Sequence, residues 1–176
     1  MSAEELLDTY TRDGKYLGVK TRGECHSENP GYYHKPVWIW IVNDNRQFLV
    51  QKRAASKSWF PGYWDLPSAG HVNAGESSIE GAIRETKEEL GIDTKVDDYQ
   101  FLGEYVSETT WEIGQVYLLK TNLKADDMTL RKEEVEQVKW LSFDEFKNLL
   151  YSESFVPHDN AFKNMSIDLL RKHTNI

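Results

Sequence analysis

Three glutamates in one short segment could hold a divalent cation. Glu85, Glu88 and Glu89 are spaced i, i+3 and i+4, so a helix would bring their side chains together on its surface. Like charges at this spacing repel one another unless a cation lies among them. Mg²⁺ binds carboxylate oxygens and keeps coordination positions for substrate phosphates. The spacing therefore indicates a divalent-cation site, and the alternative is an acidic helix face in contact with water.

The neighbouring residues predict the helix that this site requires. Ser77 and Glu80 match a capping box at its start, and Gly91 is a typical C-terminal stop. Between them, the following residues recur with helical period: Ile79, Ala82, Ile83, Thr86 and Leu90. The three glutamates fall beside this stripe, so we expect the helix to pack on a core with its carboxylates to one side.

The spacing of glycines and charged residues across residues 70–92 is specific. Gly70 is followed after five residues by Glu76, and after seven more by the run RETKEELGI, which begins at Arg84. This segment resembles the Nudix box of hydrolases that cleave diphosphates linked to another moiety. Thr86 is the one departure, since the family usually has an aliphatic residue there.

The resemblance implies a metal site and a cofactor, Mg²⁺ or Mn²⁺. Glu85 and Glu89 would be direct ligands, and Glu88 would bind directly or through water. A carbonyl next to Gly70 would complete the site. The substrate would be a small molecule that contains a diphosphate.

The resemblance also implies a catalytic arrangement. Arg84 would orient Glu85, and Glu76 would support the loop by pairing with Arg84. A water molecule made more acidic by the cation would attack phosphorus. The base stays open: it is Glu85 or a carboxylate outside the box, and the outside residues are Glu108 and Glu112, with Glu133, Glu134 and Glu136 as weaker choices.

The segment before the box resembles a narrower branch. Residues 51–64, QKRAASKSWFPGYW, are similar to the stretch that precedes the box in isopentenyl diphosphate isomerases and their hydrolase relatives. The N-terminal hairpin and residues 155–157, FVP, are similar to the same branch. By the matching positions, Arg53 and Lys57 would contact the substrate diphosphate, since Arg offers a planar fork and Lys a flexible point charge. The alternative is two solvated basic residues at a strand end.

Isomerisation is disfavoured because the matching catalytic groups are missing. Ala69 stands where isomerases have a catalytic cysteine, and alanine can neither donate nor accept a proton. His158 stands where they have a tryptophan thought to support the cationic intermediate. Neither Gly114 nor Gln115 supplies their second catalytic glutamate. Isomerases also carry a degenerate Nudix box, whereas this box is intact, so we expect a hydrolase, with an isomerase-like enzyme as the alternative.

Three histidines complicate this interpretation. His26, His34 and His71 fall at or close to the metal-ligating histidines of the isomerases, and Glu112 lies near their carboxylate ligands. They could hold Zn²⁺ or Mn²⁺ if they converge. Otherwise His34 packs at a strand start, His26 is exposed and His71 is a loop residue or a substrate contact. Cys25 could join them, but an inert loop thiol is the simpler interpretation.

The substrate is less well specified than the reaction. The chain has six tryptophans and nine tyrosines, of which Trp59, Tyr63, Trp64 and Trp111 could stack on a base or a cofactor ring. Relatives in this branch act on nucleoside diphosphates or related compounds, and similar domains act on thiamine-type diphosphates. A ligand-sensing domain without turnover is another class of answer, and the complete glutamate set argues against it.

Composition limits the other possibilities. The net charge of −8 argues against non-specific nucleic-acid binding, which needs a basic surface. Cys25 is the only cysteine, which excludes an internal disulfide and favours a reducing compartment. The first residues lack the pattern of a signal peptide, and no apolar run reaches membrane length. We therefore expect a cytoplasmic protein with no membrane partner; the oligomeric state stays open, with a homodimer among the options.

Element patterns agree with an α+β fold of Nudix type, an α/β/α sandwich with a mixed central sheet. We expect one domain over residues 1–176, with an N-terminal hairpin at about 4–22, a core at about 34–151 and a C-terminal helix at about 159–173. Residues 21–33 should be a loop. The strands should lie at 37–42, 48–52, 98–107, 114–121 and 137–141. Ser142 and Glu145 form a second capping box, and Asp159 or Asn160 could cap the final helix.

Overall fold

An N-terminal hairpin opens the computed structural model, which describes residues 4–175. Its strands are β1 (Leu6–Tyr10) and β2 (Tyr16–Thr21), and they pair antiparallel. Gly14 has a φ of 83°, which only glycine adopts without strain. The structure thus confirms the N-terminal hairpin that the sequence predicts.

The loop predicted for residues 21–33 is wrong in one part. It contains a single helical turn, α1 (Arg22–Cys25). The Thr21 hydroxyl accepts a hydrogen bond from the Glu24 N–H, and the Glu24 carboxylate accepts one from the Thr21 N–H. This capping box stabilises a helical turn that was not predicted, because the polar composition of the segment indicated a loop.

A mixed sheet forms the centre of the molecule. Its further strands are β3 (Tyr33–His34), β4 (Pro36–Val42), β5 (Phe48–Arg53), β6 (Trp64–Asp65), β7 (Ser68–His71), β8 (Tyr99–Ser107), β9 (Glu112–Lys120) and β10 (Val135–Leu141). The order along the sheet is β10-β5-β4-β9-β3-β1-β2, with β6, β7 and β8 pairing with β5, β4 and β9. The five core strands expected from the sequence are confirmed. Strands β3, β6 and β7 were not predicted, because two to four residues are too few to show an alternating pattern.

Strand β4 is buried on both faces, and this explains its unbroken apolar sequence. Its odd-numbered residues, Val37 to Ile41, pack with α2 (Ser78–Leu90). Its even-numbered residues, Trp38 to Val42, pack with α3 (Phe143–Leu150) and α4 (Asn160–Thr174). Helices therefore cover both sides of the sheet, which confirms the predicted α/β/α sandwich.

Aromatic side chains join the C-terminal helices to the sheet. The Phe162 ring lies 4.8 Å from Trp38, and the Phe146 ring lies 5.4 Å from Trp40, both edge to face. Burying a side chain of this size stabilises a protein by roughly 1.5–3 kcal/mol. Helix α3 begins with the predicted box at Ser142, whereas α4 is capped by Asp159 and runs one residue beyond its predicted end at about residue 173.

Strand β7 leads directly into the segment that carries the chemistry. It pairs antiparallel with β4, with Ala69 opposite Trp38 and Gly70 opposite Val37. The N-terminal hairpin braces the loop that follows, because Ala74 N–H donates to the Leu6 carbonyl at 2.8 Å. The loop between β7 and α2 is thus held from both sides.

The hairpin and the core share one sheet, since β1 pairs with β3 and β3 pairs with β9. The expected single domain stays a prediction, and its residues 1–3 and 176 lie outside the described residues. Among residues 4–175, no helix is both long enough and apolar enough to cross a bilayer.

Candidate metal and diphosphate site

Helix α2 has the boundaries that its sequence predicts. Ser77 is the N-cap and exchanges capping-box hydrogen bonds with Glu80, and Gly91 ends the helix with a φ of 68°. The expectation that all three glutamates lie beside the buried stripe is only partly correct. Glu88 is 43% exposed, whereas Glu89 is 8% exposed and faces the sheet. The carboxylates of this helix therefore differ in burial, from the exposed Glu88 to the buried Glu89.

Glu89 is a buried carboxylate at the edge of β7. Its Oε2 accepts a hydrogen bond from the Ala69 N–H at 3.1 Å. Burial, followed by the nearby charge of Glu85, raises the pKa of Glu89 to about 8. A group with so high a pKa is protonated near neutral pH unless a cation stabilises its charge.

Glu85 lies against the backbone of the same strand. A Cβ atom at Gly70 would overlap its carboxylate, so only glycine leaves room for this approach. Burial raises the pKa of Glu85 to about 7, although Arg84 Nη1 donates to its Oε1 at 2.6 Å and lowers that value. Both inner carboxylates are thus more basic than ordinary glutamates.

Arg84 fixes the geometry of this cluster. Its Nε and Nη2 donate to the two oxygens of Glu76, each at 2.9 Å, and Nη2 also donates to the His71 carbonyl at 2.7 Å. Glu76 in turn accepts from the Asn73 N–H at 2.9 Å. These carboxylates raise the pKa of Arg84 further above its usual value. One guanidinium thereby links the loop, the end of β7 and Glu85.

The donor set suits a hard divalent cation. Three carboxylates on one helix supply negative oxygens, and two of them have a raised pKa through burial and mutual repulsion. The glycine at position 70 leaves the space that the Glu85 carboxylate occupies. Glu85, Glu88 and Glu89 could therefore hold Mg²⁺ or Mn²⁺ with a carbonyl near Gly70.

A second cluster lies next to the first. His26, His34 and His71 each place one ring nitrogen within 4.8 Å of the others, and the Nε2 atoms of His26 and His71 are 3.0 Å apart. Burial and the other two rings lower the pKa of His26 to about 4. His71 belongs to both clusters, because its ring is here and its carbonyl binds Arg84. The structure thus brings together three histidines that are far apart in sequence.

Two carboxylates flank these histidines. Glu5 Oε1 lies 3.4 Å from His71 Nδ1, and Glu112 Oε1 lies 3.5 Å from His34 Nε2. The hydrogen bond to His71 lowers the pKa of Glu5 to about 2. His34 is 1% exposed, and neither of its ring nitrogens makes a hydrogen bond within residues 4–175. Cys25 lies outside this group, and burial raises the pKa of its thiol to about 11.

Arg53 and Lys57, expected to contact phosphate, are both paired inside the protein. Arg53 Nη1 donates to Asp65 Oδ2 at 3.1 Å, and its Nε and Nη2 donate to the Trp59 carbonyl at 3.0 and 2.8 Å. Lys57 binds the carboxylate of Glu134. Their phosphate-binding roles stay predictions.

Of the five carboxylates considered as outside bases, four have side-chain partners: those of Glu108, Glu112, Glu134 and Glu136. Glu108 accepts hydrogen bonds from Tyr33 and Arg12. Glu112 accepts one from Thr110 at 2.6 Å and lies beside the histidine cluster. The remaining contacts are Glu134 with Lys57, Glu136 with Lys52, and the Glu133 carbonyl with Ser56.

Aromatic residues near the site differ in exposure. Trp59 is 54% exposed, and the Arg53 guanidinium lies 5.3 Å from its ring centre. The other three aromatics pack on the protein itself: Tyr63 on Phe60, Trp64 on Lys139 and Trp111 on Tyr33. Trp59 is the member of this set with the most surface available for stacking.

Two residues of the site were missed in the sequence. Glu5 has no local motif, and only the tertiary fold brings it to His71. Asp65 is 5% exposed and contacts Arg53 and His158. A lone carboxylate within the apolar run Trp64-Asp65-Leu66 was the signal that could have identified it, because a buried charge needs partners.

Comparison with known proteins identifies a shared domain. A family model described as the NUDIX domain matches residues 32–161. The chain is 35% identical over 189 residues to "Nudix hydrolase 3" of Arabidopsis thaliana, covering 99% of this chain and 24% of that protein. It is 33% identical over 158 residues to an uncharacterised Nudix hydrolase of Clostridium acetobutylicum, covering 84% of this chain and 74% of the relative. The chain therefore spans about a quarter of the Arabidopsis relative and most of the bacterial one.

Similarity to isomerases is weaker. An isopentenyl-diphosphate Delta-isomerase of Cutibacterium acnes is 28% identical over 160 residues, covering 84% of this chain and 77% of the isomerase. The narrower branch expected from residues 51–64 thus has weak support.

Solved structures share the fold. A crystal structure from Deinococcus radiodurans superimposes with a TM-score of 0.74 at 21% identity, over 96% of this chain and 98% of the other. A NUDIX domain of Shewanella oneidensis in complex with ADP ribose has a TM-score of 0.56 at 17% identity, over 79% of this chain and 86% of that one. These similarities agree on one architecture for most of the chain.

Proposed function

The chain belongs to the Nudix family and is a Nudix hydrolase, and on that premise we propose that it cleaves the diphosphate bond of a nucleoside diphosphate or a related diphosphate-linked small molecule. The observation that carries this proposal is the position of Glu85 and Glu89. Both carboxylates lie against β7 with a raised pKa, and Arg84 fixes one of them. Such a pair is suited to hold a divalent cation at a substrate phosphate.

Mg²⁺ or Mn²⁺ is the proposed cofactor, held by Glu85, Glu88 and Glu89 with a carbonyl near Gly70. When bound, the cation neutralises charge on phosphate oxygens and makes a water molecule more acidic. The chain's own residues set the geometry. Arg84 keeps Glu85 Oε1 fixed at 2.6 Å, and Glu76 keeps Arg84 in place.

We assign the proton acceptor to Glu85. Its Oε1 is held by Arg84, and this leaves Oε2 to accept a proton from the attacking water. Glu108 is a weaker choice because Tyr33 and Arg12 already occupy its oxygens.

The isomerase alternative meets a steric obstacle as well as missing groups. A Cβ atom at Gly114 would overlap the ring of Trp38, so a glutamate cannot replace this glycine without moving the tryptophan. Ala69, at the position of the isomerase cysteine, lies opposite Trp38 in the sheet. Trp38 therefore lies beside both positions, 69 and 114, at which the isomerases carry catalytic groups.

We also propose that the histidine cluster is a second cation site. Metal-ligating histidines commonly hold a carboxylate with one ring nitrogen and the metal with the other. Glu5 beside His71 and Glu112 beside His34 match that arrangement. Apart from its 3.5 Å contact with Glu112, the buried His34 ring has no polar partner within the described residues, and a cation would coordinate its other nitrogen. Imidazole ligands favour Zn²⁺ or a similar transition metal over Mg²⁺.

Cobalt titration tests this second site. Visible absorption of Co²⁺ should report one site that His34→Ala abolishes. Glu89→Gln and His173→Ala should keep the signal, since His173 lies away from the cluster against Gln100. A signal that persists in His34→Ala, or that disappears in Glu89→Gln, would refute the second site.

The function itself is tested with a panel of diphosphate compounds. Phosphate or nucleotide release would be measured with Mg²⁺ or Mn²⁺ on nucleoside di- and triphosphates, ADP-ribose, nucleotide sugars, dinucleotides, thiamine diphosphate and isopentenyl diphosphate. Isomer formation from the last compound would be followed in parallel. We expect cation-dependent cleavage of one class. Isomer formation without release would favour the isomerase alternative, and tight binding without turnover would favour a sensor.

A further inference from the structure

The Asp65 carboxylate is a buried bridge between two side chains that are distant in sequence. Its Oδ2 accepts a hydrogen bond from Arg53 Nη1 at 3.1 Å, and its Oδ1 lies 3.1 Å from His158 Nε2. Oδ1 also accepts from the Leu66 N–H at 2.9 Å. The Asp65 side chain is 7% exposed. A carboxylate buried to this extent needs charged or hydrogen-bonding partners, and Arg53 and His158 provide them.

This bridge lies beside the acidic cluster. Asp65 is on β6, and its charge contributes to the raised pKa of Glu89. The segment that carries His158 is attached to the same strand, because Val156 N–H donates to the Trp64 carbonyl at 2.8 Å. Three elements of the fold therefore converge next to a residue of the proposed cation site.

His158 keeps one ring nitrogen available. Its Nε2 faces Asp65, and within residues 4–175 no hydrogen bond uses its Nδ1. The Phe162 ring lies 5.0 Å away and limits rotation of the imidazole, whose side chain is 19% exposed. Nδ1 is therefore the ring atom that can face an anionic oxygen, and it donates there when it carries a proton.

Arg53 keeps donors available in the same way. A guanidinium has five N–H donors, and the contacts with Asp65 and the Trp59 carbonyl use three. One N–H therefore remains on each terminal nitrogen. Because Asp65 fixes both the Arg53 and the His158 side chain, the polar groups that they leave unused have fixed directions.

We propose that Asp65 is a positioning residue that holds Arg53 and His158 as a pair of donors for one phosphate group of the substrate. The cation site would bind the diphosphate from one side, and this pair would bind it from the other. The inference rests on the proposed function, since it names residues that recognise the same substrate class. It adds Asp65, which no motif identifies.

Binding of imidodiphosphate, a diphosphate analogue that resists hydrolysis, tests the pair directly. Affinity would be measured by calorimetry with Mg²⁺ for the unsubstituted protein, Asp65→Asn and His158→Phe. His158→Phe keeps an aromatic ring against Phe162 but removes both nitrogens. We expect each variant to bind at least about tenfold more weakly, the factor for loss of one hydrogen bond to a charged group.

Asp159→Ala is the matched control for a purely structural role. Asp159 caps α4 one residue after His158 and accepts from the Phe162 N–H at 2.8 Å, without contacting Asp65. This variant should have a lower Tm yet bind imidodiphosphate within about twofold of the unsubstituted protein. Equal weakening in all three variants would show that the bridge only attaches α4 to the sheet.

Two further outcomes separate the inference from the proposed function. If the compound panel reveals a hydrolysed substrate but Asp65→Asn and His158→Phe bind imidodiphosphate normally, the pair is wrong and the function stands. If the variants lose binding while no compound is hydrolysed, the pair stands and the function is wrong. No imidodiphosphate binding by the unsubstituted protein overturns the pair.

Discussion

The carboxylate of Glu85 occupies the space that a side chain at Gly70 would fill. This contact joins the helix that carries the acidic cluster to the strand that ends at the site. It explains why the start of the motif requires glycine, since any other residue would displace the carboxylate that we assign to the cation and the attacking water.

Gly70→Ala should therefore reduce kcat/KM by about 100-fold or more, because the displaced carboxylate loses both the cation and its alignment. Overpacking of this kind also destabilises a fold by about 1–3 kcal/mol. Steady-state kinetics and urea unfolding would measure the two effects. Gly23→Ala is the control, since the nearest atom to its Cβ would be at 3.5 Å. Equal kinetics for Gly70→Ala and the unsubstituted protein would contradict the assigned contact.

The pH dependence of stability tests the buried carboxylates. Without a cation, Glu85 and Glu89 have pKa values of about 7 and about 8, against about 4.3 for glutamate in an unfolded chain. The folded protein then binds more protons than the unfolded chain, so the free energy of unfolding should fall as pH rises towards 8. His26, with its pKa lowered to about 4, acts in the opposite direction only below about pH 6.5.

Urea unfolding in EDTA from pH 6.5 to 8.5 isolates this effect. The slope should be negative for the unsubstituted protein, shallower but still negative for Glu89→Gln because Glu85 still titrates in this range, and reduced by Mg²⁺. Asp93→Asn should keep the original slope, since the Asp93 side chain is 86% exposed and its one side-chain partner within residues 4–175 is Lys87. A free energy of unfolding that rises with pH over this range would show that the carboxylates are ionised at ordinary pKa values.

Arg84→Lys should impair both activity and stability. A lysine cannot donate at once to Glu76, Glu85 and the His71 carbonyl, because it lacks the planar fork. We expect kcat to fall by about 100-fold and stability by roughly 1.5–3 kcal/mol, the range for hydrogen bonds to charged groups. Arg131→Lys, which affects only an exposed contact with Glu88, should change stability by less than about 1 kcal/mol. Similar losses of kcat and stability in both variants would show that Arg84 has no special role.

Arg53→Ala should mainly raise KM for the diphosphate substrate, by about tenfold, as expected for loss of a charged hydrogen bond. Lys52→Ala removes a neighbouring basic residue that pairs with Glu136, and its KM should stay near normal. Initial-rate kinetics on the best compound of the panel would measure both. A normal KM for Arg53→Ala would place Arg53 outside the site.

Ala69→Cys alone should not create an isomerase. The second catalytic carboxylate would still be missing, and Trp38 fills the space that a side chain at position 114 would need. Isopentenyl diphosphate incubated with Ala69→Cys should show no isomer above the unsubstituted protein. Measurable isomerisation would mean that the cysteine contributes more than the other missing groups together.

Local features of the fold were readable from the sequence because they depend on neighbouring residues. The capping boxes at Ser77 and Ser142 and the glycine at position 91 set helix ends through hydrogen bonds within four residues. Strand β4 has no alternation of polar and apolar residues, and its unbroken apolar sequence is typical of a strand that is buried on both faces. The Nudix resemblance then supplied the layer arrangement.

The site was only partly predictable, because several of its contacts join distant parts of the chain. Glu5 reaches His71 through the N-terminal hairpin, and Asp65 reaches His158 across 93 positions. Helical spacing grouped the three glutamates, yet it could not show that Glu89 turns inwards against Ala69. Burial and pairing of this kind are set by tertiary packing, which spacing does not encode.

Cation dependence of hydrolysis is the most direct test of the central claim. The rate of cleavage of the best panel compound would be measured against Mg²⁺ concentration for the unsubstituted protein and Glu89→Gln. We predict saturable activation by Mg²⁺ in the unsubstituted protein and a rate at least about 100-fold lower in Glu89→Gln at the same Mg²⁺ concentration, with a folded variant by circular dichroism. Equal rates in the two proteins, or cleavage that persists in EDTA, would contradict hydrolysis at the acidic cluster of α2.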